Sequence, residues 1–306
     1  MKNDRFVNWG IFILLCIIWG SSFILMKASK DELTWAQIAS LRIFSAGVVM
    51  LPFAIFYFSR IPKKKMPLVI LSAICGNLLP AYLFAGAIAK NIDSSLAGIL
   101  NSLTPIFVVV TGVLFFRSKI EGRKIIGVII GFAGLTLLTL AAKKGISFDN
   151  LQYTLWILVA TISYGFNINI VGHYLKDINP IHLAVVSITC MMIPTGIVLW
   201  QQNFLQLPFS NDDTLLAVIN SVMLGVAGTA IATALFYVLV KKAGGLFASL
   251  VTYGIPFIAL TWGFIFGEEI TLLQVSCLGI ILFGVYLANM HRKQEVETIT
   301  EFESKG

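Results

Sequence analysis

The chain has 306 residues, of which 58% are hydrophobic and only 12% are charged. A soluble domain carries about 25% charged residues, so the composition excludes a soluble globular protein and indicates a chain solvated by a lipid bilayer. The net charge of +7 would suit a nucleic-acid partner. The basic residues lie in short segments between apolar runs, however, so no nucleic-acid partner is predicted.

The sequence contains ten apolar runs of about 20 residues, the length that a helix needs to cross a membrane. They cover residues 9–28, 36–58, 67–89, 94–116, 123–141, 153–173, 180–200, 215–239, 246–266 and 272–290. No small-residue cleavage site follows the first run, so we expect it to be retained as a span. The sequence therefore predicts an all-α membrane protein with ten transmembrane helices.

The distribution of Lys and Arg between alternate loops predicts the orientation. With the N-terminus in the cytoplasm, 16 of the 22 Lys and Arg residues fall on the cytoplasmic side, 5 fall outside, and Arg42 lies within the second span. Cytoplasmic loops are enriched in these residues. Both termini are therefore predicted to be cytoplasmic, and residues 291–306 to form a disordered cytoplasmic tail.

Two similar stretches indicate that the chain is an internal duplication. Residues 97–116 and 248–269 are both apolar and are centred on Pro105 and Pro256, which lie 151 residues apart. We interpret 1–147 and 148–290 as two five-helix repeats. An odd number of spans in each repeat inserts the second one the other way up, and such inverted repeats are typical of alternating-access transporters.

Inverted-repeat carriers bind substrate near the bilayer midplane, where helices are interrupted. Helix breaks are predicted near the midpoints of spans three, four, eight and nine, at Gly76, Pro80, Pro105, Gly225, Gly228 and Pro256. The polar and aromatic candidates for substrate binding at that depth are Trp19, Ser22, Asn77, Tyr82, Asn101, Thr104, Tyr164, Asn167, Thr229, Thr233, Thr252 and Tyr253. The alternative for each residue is hydrogen bonding between helices, without substrate contact.

Ionisable residues within spans are functional candidates. No acidic residue lies at the middle of a span, so the sequence offers no obvious carboxylate for proton exchange and leaves proton or other ion coupling open. Glu268 and Glu269 fall at the external end of span nine. Lys27 and Arg42 are expected to extend toward the membrane surface, with pairing of Arg42 to one of these glutamates as the alternative.

Motifs for catalysis, metal binding and nucleotide binding are missing from the sequence. We therefore predict that the chain is not an enzyme, and that it has no metal and no cofactor. The spacing of Gly127 and Gly131 permits close helix contact. It favours packing within the monomer over a homodimer interface, and the oligomeric state stays open between monomer and homodimer.

Several motifs resemble those of the EamA family of the drug/metabolite transporter superfamily. They are Trp19–Ser22, Leu41–Arg42, Asn101–Pro105, Pro256, Gly267–Thr271, Gln274 and Gly284–Val285, within a resemblance that covers residues 9 to 290. The resemblance implies a bacterial inner-membrane carrier, often an exporter of amino acids, with a cavity between spans one, three, four, six, eight and nine. The chain departs from the family pattern at Lys119–Ile120, where an acidic residue is common, and at Cys277, where glycine is usual.

The resulting hypothesis is a secondary transporter that moves a small polar or amphipathic metabolite, such as an exported amino acid, across the inner membrane by alternating access. Its expected partners are a small-molecule substrate and the lipid bilayer. The alternatives within transport are a drug, nucleobase or sugar carrier. From another class, a membrane enzyme or scaffold could use the same fold.

Overall fold

The computed structural model describes residues 2–117, 122–140, 148–243 and 251–289, which form helices and turns with no β-strand among them. The α-helices are α1 (Lys2–Ser29), α2 (Trp35–Tyr57), α3 (Met66–Ala73), α4 (Leu79–Ala89), α5 (Ser94–Asn101), α6 (Thr104–Phe116), α7 (Gly122–Leu140), α8 (Phe148–Tyr174), α9 (Pro180–Gln201), α10 (Asp212–Gly225), α11 (Ala232–Ala243), α12 (Val251–Ile265) and α13 (Leu272–Asn289). Short 3₁₀ turns are formed by Phe58–Arg60, Lys63–Lys65 and Phe204–Gln206. A π-helical turn at Ile74–Leu78 joins α3 to α4, and another at Val226–Ile231 joins α10 to α11. We call these the first and second π turns.

Seven helical stretches of the described residues are long and apolar enough to cross a membrane. They are Phe6–Ser29, Trp35–Arg60, Lys63–Ala89, Ser94–Phe116, Leu151–Tyr174, Pro180–Gln201 and Asp212–Phe236. The predicted fifth, ninth and tenth spans are represented by shorter apolar helices, Ile125–Gly134, Val251–Ile265 and Leu272–Gly284. The chain is thus a multi-pass membrane protein. The predicted end of the first repeat at residue 147 and the tail at 291–306 lie outside the described residues.

Local sequence accounts for where several helices begin. Thr34 and Gln37 form a capping box at the start of α2: the Thr34 side chain accepts from the Gln37 N–H, and the Gln37 side chain accepts from the Thr34 N–H. Thr271 and Gln274 make the same reciprocal pair before α13, at 2.9 and 3.2 Å. Each cap satisfies backbone donors that the first turn leaves unpaired, which contributes about 1 kcal/mol.

The helices of the two predicted repeats, residues 1–147 (the first half) and 148–290 (the second half), interleave. α2 packs along α9, and α7 packs along α13. α1 packs against α10, α11 and α12 of the second half, while α8 packs against α3, α4 and α6 of the first. A single large apolar cluster runs through these contacts and includes the fully buried side chains of Leu15, Ile99 and Ile157. Each half is therefore packed mainly by helices of the other.

Glycines allow α7 and α13 to meet at backbone distance. A Cβ added at Gly284 would lie 2.5 Å from the Gly131 nitrogen and 2.6 Å from the Gly127 oxygen. No side chain could occupy that space without moving a helix. The prediction that the Gly127 and Gly131 spacing serves packing within the monomer is confirmed.

Candidate functional site

The first π turn is held by side chains of α8. Ser163 Oγ donates a hydrogen bond to the carbonyl oxygen of Cys75 at 3.0 Å. Gly76 lies directly against Asn167, because an added Cβ would be 2.3 Å from the Asn167 Nδ2 atom. The Asn167 Oδ1 atom accepts a hydrogen bond from Ser72 Oγ at 2.5 Å. A π turn disturbs the regular hydrogen-bond pattern, and here α8 supplies a side-chain partner for a backbone carbonyl.

The second π turn is held by α1 and α2. Trp19 Nε1 donates to the carbonyl oxygen of Gly228 at 2.9 Å. Arg42 Nε donates to Thr229 Oγ1 at 3.1 Å, and the Thr229 hydroxyl itself donates to the carbonyl of Leu224 at 3.3 Å. A side chain of α1 thus bonds a carbonyl of the second π turn, just as a side chain of α8 bonds a carbonyl of the first π turn.

These contacts form a reciprocal pattern across the two halves. The irregular turn in the first half receives its hydrogen bond from α8, and the irregular turn in the second half receives its hydrogen bond from α1. Both turns fall at the predicted midpoints of spans three and eight. Backbone groups inside a bilayer must be satisfied by protein or by water in a cavity, and here side chains of the other half bond the carbonyls of Cys75 and Gly228.

A third interruption separates α5 from α6. α5 ends at Asn101, α6 begins at Thr104, and Pro105 occupies the first turn of α6. Because Pro105 has no N–H, it cannot bond the Asn101 carbonyl four residues earlier. The Thr104 hydroxyl donates to that same carbonyl at 2.8 Å.

The break expected at Pro256 is wrong for the described residues. α12 runs without interruption from Val251 to Ile265 with Pro256 inside it. The residue before this proline is Ile255, which has no hydroxyl to place on the Thr252 carbonyl, to which the proline cannot donate. A transmembrane helix can tolerate an interior proline when neighbouring helices satisfy the freed group.

The candidate substrate-binding residues differ in how far their polar groups are already used. The hydroxyls of Ser22, Thr104 and Thr229 are buried and donate to backbone carbonyls. The Tyr82 hydroxyl shares a hydrogen bond with Ser40 on α2. Thr252 and Tyr253 are half-buried on α12. The half-buried side chains that form no hydrogen bond to another described residue are Asn77, Asn101, Tyr164 and Thr233.

Comparison with known proteins identifies the family. The EamA-like transporter family matches this sequence twice, over residues 8–140 and again over 151–290. The chain belongs to the EamA-like transporter family.

Several relatives of this EamA-like chain match along nearly their whole length. An uncharacterized transporter of Archaeoglobus fulgidus is 27% identical, with 92% of this chain and 98% of the relative covered. The uncharacterized inner membrane transporter YedA of Escherichia coli K12 is 24% identical, with 92% and 90% covered. A solved structure described only as "Crystal structure of protein" has a TM-score of 0.62 at 15% identity and covers 98% of this chain and 99% of its own, which shows the shared fold.

The EamA-like motif at Gly267–Thr271 ends one helix and positions a carboxylate. Gly267 has a φ of +77°, and the N–H groups of Glu268 and Gly267 bond the carbonyls of Gly263 and Phe264 at 2.8 and 3.2 Å. This is a Schellman C-cap, which glycine favours because it adopts positive φ without strain. The cap turns the chain back so that Glu268 packs over Gly263, where a Cβ would be 2.5 Å from Glu268 Oε2.

Four donors surround the Glu268 carboxylate, which is 8% exposed. Lys27 Nζ, the Ser94 N–H and the Ser94 hydroxyl contact Oε1 at 2.7, 2.9 and 2.6 Å, and the Ser95 N–H contacts Oε2 at 2.9 Å. Burial alone would raise the pKa of Glu268, but the hydrogen bonds from Lys27, Ser94 and Ser95 outweigh it and hold the pKa at about 2. The carboxylate thus ties α1, α5 and the end of α12 together.

This arrangement corrects the expectations for the half-buried cations Lys27 and Arg42. Lys27 does not extend freely to the surface but pairs with Glu268. Arg42 pairs with neither Glu268 nor Glu269 and instead reaches the second π turn. Sequence reasoning missed both contacts, because the Lys27 partner lies 241 residues away and the Arg42 partner lies in a turn of the other half.

Proposed function

We propose that this EamA-like protein is a secondary carrier for a small polar or amphipathic metabolite, with amino acids as the leading class. Its ten spans form two inverted five-helix repeats that alternate in exposing a site between them. The protein lies in the bacterial inner membrane with both termini in the cytoplasm, an orientation supported by the distribution of Lys and Arg.

The observation that carries the proposal is the reciprocal bonding of the two π turns. Ser163 of α8 bonds the first turn, and Trp19 of α1 bonds the second. Two equivalent contacts across the halves are expected if the halves are related by an inverted repeat. The double family match and the reciprocal packing of α1 and α8 agree with this relationship.

Irregular backbone within a membrane protein occurs where it is buried in protein or lines a water-filled cavity. The two π turns and the break between α5 and α6 interrupt helices that carry candidate residues. Several polar side chains near these interruptions are half-buried and have hydrogen-bonding groups without a partner among the described residues. Asn77 and Asn101 each offer an amide, and Tyr164 and Thr233 each offer a hydroxyl. These groups suit a solute with both polar and apolar parts, such as an amino acid.

Flux into proteoliposomes tests the proposal directly. Purified protein is reconstituted and loaded with one unlabelled solute, and exchange is measured against a radiolabelled panel of amino acids, nucleobases, sugars and cationic drugs. We expect saturable exchange of at least one amino acid. Exchange confined to drugs, nucleobases or sugars would replace the substrate class, and folded protein without any exchange would favour the enzyme or scaffold alternative.

Ser163→Ala provides a site-directed test of the same proposal. Removing the donor to the Cys75 carbonyl should slow exchange by disturbing the first π turn. Ser276→Ala is the matched control, because Ser276 is exposed on α13 and bonds only the carbonyl of Leu272 in its own helix, at 3.0 Å. Equal exchange rates in the two variants would contradict a role for the π turn in transport.

A further inference from the structure

Arg42 places a cation inside the helix bundle. It lies seven residues after the start of α2, which is about 10 Å along the helix. Its Nε atom is fixed to Thr229, which is 5% exposed in the second π turn, so the guanidinium points between the two halves and away from the membrane surface. Gly225 allows α10 to approach α2 closely at this level, because an added Cβ at Gly225 would lie 2.2 Å from the Arg42 carbonyl oxygen.

The positive charge of Arg42 has no acidic partner among the described residues. The two ion pairs found there join Lys27 to Glu268 and Lys65 to Asp177. The only hydrogen bond that the guanidinium makes within the described ranges is the one from Nε. Its terminal nitrogens are not among the fully buried unpartnered atoms, and the Arg42 side chain is half-buried.

The surroundings of Arg42 suit a ligand with a negative group. The Tyr164 side chain on α8 lies close enough to interact electrostatically with the guanidinium, and it forms no hydrogen bond to another described residue. Trp19 lies beside the same turn through its bond to Gly228, and its ring packs on Phe236 at 5.5 Å. The Arg42 guanidinium and the Trp19 ring thus lie beside the second π turn, and the Tyr164 phenol lies within electrostatic range of the guanidinium.

We propose that the terminal nitrogens of Arg42 bind the carboxylate of the transported solute at this place. The inference rests on the proposed transport function and adds to it the residue that recognises the solute and the group that is recognised. Arginine holds a carboxylate through two parallel N–H···O bonds, and such charge-assisted pairs strengthen where water is excluded. In this proposal the Tyr164 hydroxyl donates to the same carboxylate, and the Trp19 ring packs against the rest of the solute.

Binding of matched acids and amides tests this in the wild-type protein. The probes are the standard L-amino acids, short mono- and dicarboxylic acids, and the primary amide of each, measured by thermal shift and by titration of detergent-purified protein. At least one acid should bind, and its amide should bind roughly 10- to 100-fold more weakly, because the amide lacks the charge. Equal affinity for acid and amide, or no affinity for any acid, would overturn the proposal.

Variants of Arg42 locate the effect. Arg42→Gln should abolish the preference for the acid over the amide, and Arg42→Lys should keep part of it, since a lysine offers a charge without the two-pronged geometry. Arg60→Gln is the matched control, because Arg60 is exposed at the end of the same span. An unchanged preference in Arg42→Gln would assign Arg42 to packing alone. If Arg42→Gln fails to fold, the Arg42→Lys variant and the wild-type comparison decide.

Flux separates this proposal from the transport function on which it rests. Equal flux of acids and amides, unchanged in Arg42→Lys, would overturn the carboxylate site and leave the carrier function intact. Acid-selective binding that depends on Arg42, without flux of any solute, would overturn the carrier function and still support the site.

Discussion

The carboxylate of Glu268 offers the sharpest test of the structure. Glu268→Gln keeps the size and shape of the side chain, but it removes the charge and turns one acceptor oxygen into a donor. The altered group would face donors from Lys27, Ser94 and Ser95. The half-buried ammonium group of Lys27 would then lack its ion-pair partner, and one backbone N–H of α5 would lose its acceptor. We expect substantial destabilisation with the fold retained.

The size of the effect follows from the pKa. Glu268 titrates at about 2 in the folded protein, compared with an ordinary value of 4.5. Since one pH unit corresponds to about 1.4 kcal/mol, the folded environment favours the ionised carboxylate by about 3 kcal/mol. Breaking a buried ion pair by removing one partner costs a similar amount, about 3–5 kcal/mol. At an unfolding entropy of about 2.1 cal/mol/K per residue, 1 kcal/mol shifts the melting temperature of this 306-residue chain by about 1.6 °C, so a loss of about 5 °C is expected.

A thiol-reactive dye can report this unfolding in detergent. The chain has four free cysteines, and Cys16 and Cys277 are buried in the folded protein. Glu269→Gln is the matched control, because this neighbouring carboxylate is exposed. Equal melting temperatures for Glu268→Gln and the wild type would refute the assignment of the four donors to Glu268.

The same carboxylate predicts a dependence on pH. Its folded-state pKa lies below the unfolded value, so its stabilisation is fully present above about pH 4.5 and is lost as the pH falls toward 2. The gap in melting temperature between the wild type and Glu268→Gln should therefore be constant near neutral pH and close in acid. A gap that widened on acidification would contradict the low pKa.

Three further predictions concern the helix contacts and the candidate site. Gly225→Ala should destabilise the protein by about 1–3 kcal/mol through overpacking against the backbone of α2, whereas Gly279→Ala, where a Cβ meets nothing within 4 Å, should be neutral or slightly stabilising. Trp19→Phe keeps the ring but loses the donor to the second π turn, which should lower stability by about 1–2 kcal/mol in a thermal assay. Asn101→Leu and Thr252→Leu should each lower transport at normal expression, and wild-type kinetics in both would remove them from the candidate site.

Apolar run length and the positions of glycine and proline predicted much of the helical framework. The fourth run, at residues 94–116, matches the helical stretch Ser94–Phe116. Gly76 and Gly228 were predicted as helix breaks, and both lie in π turns. The form of these irregularities was not predictable, because their carbonyls are bonded by Ser163 and Trp19 from the opposite half.

The two central prolines show where sequence similarity misleads. Both were predicted to break their helices. α6 begins at Thr104, with Pro105 in its first turn, whereas α12 continues through Pro256. The preceding residue differs: Thr104 bonds the carbonyl that the proline frees, and Ile255 cannot. The four residues before the two prolines all differ, and the loss of the hydroxyl before the proline accompanies a continuous helix.

The contacts of Glu268 join one end of α1, one end of α5 and the end of α12. Lys27 lies two turns from Trp19 on α1, and Ser94 lies two turns from Asn101 on α5, so the Glu268 contacts are about 10 Å from the candidate residues. Charge-assisted hydrogen bonds contribute about 1.5–3 kcal/mol each, and four of them would be costly to break in each cycle of the proposed alternating access. The joined ends of α1, α5 and α12 should therefore move together, and the interruption between α5 and α6 is where the chain can bend.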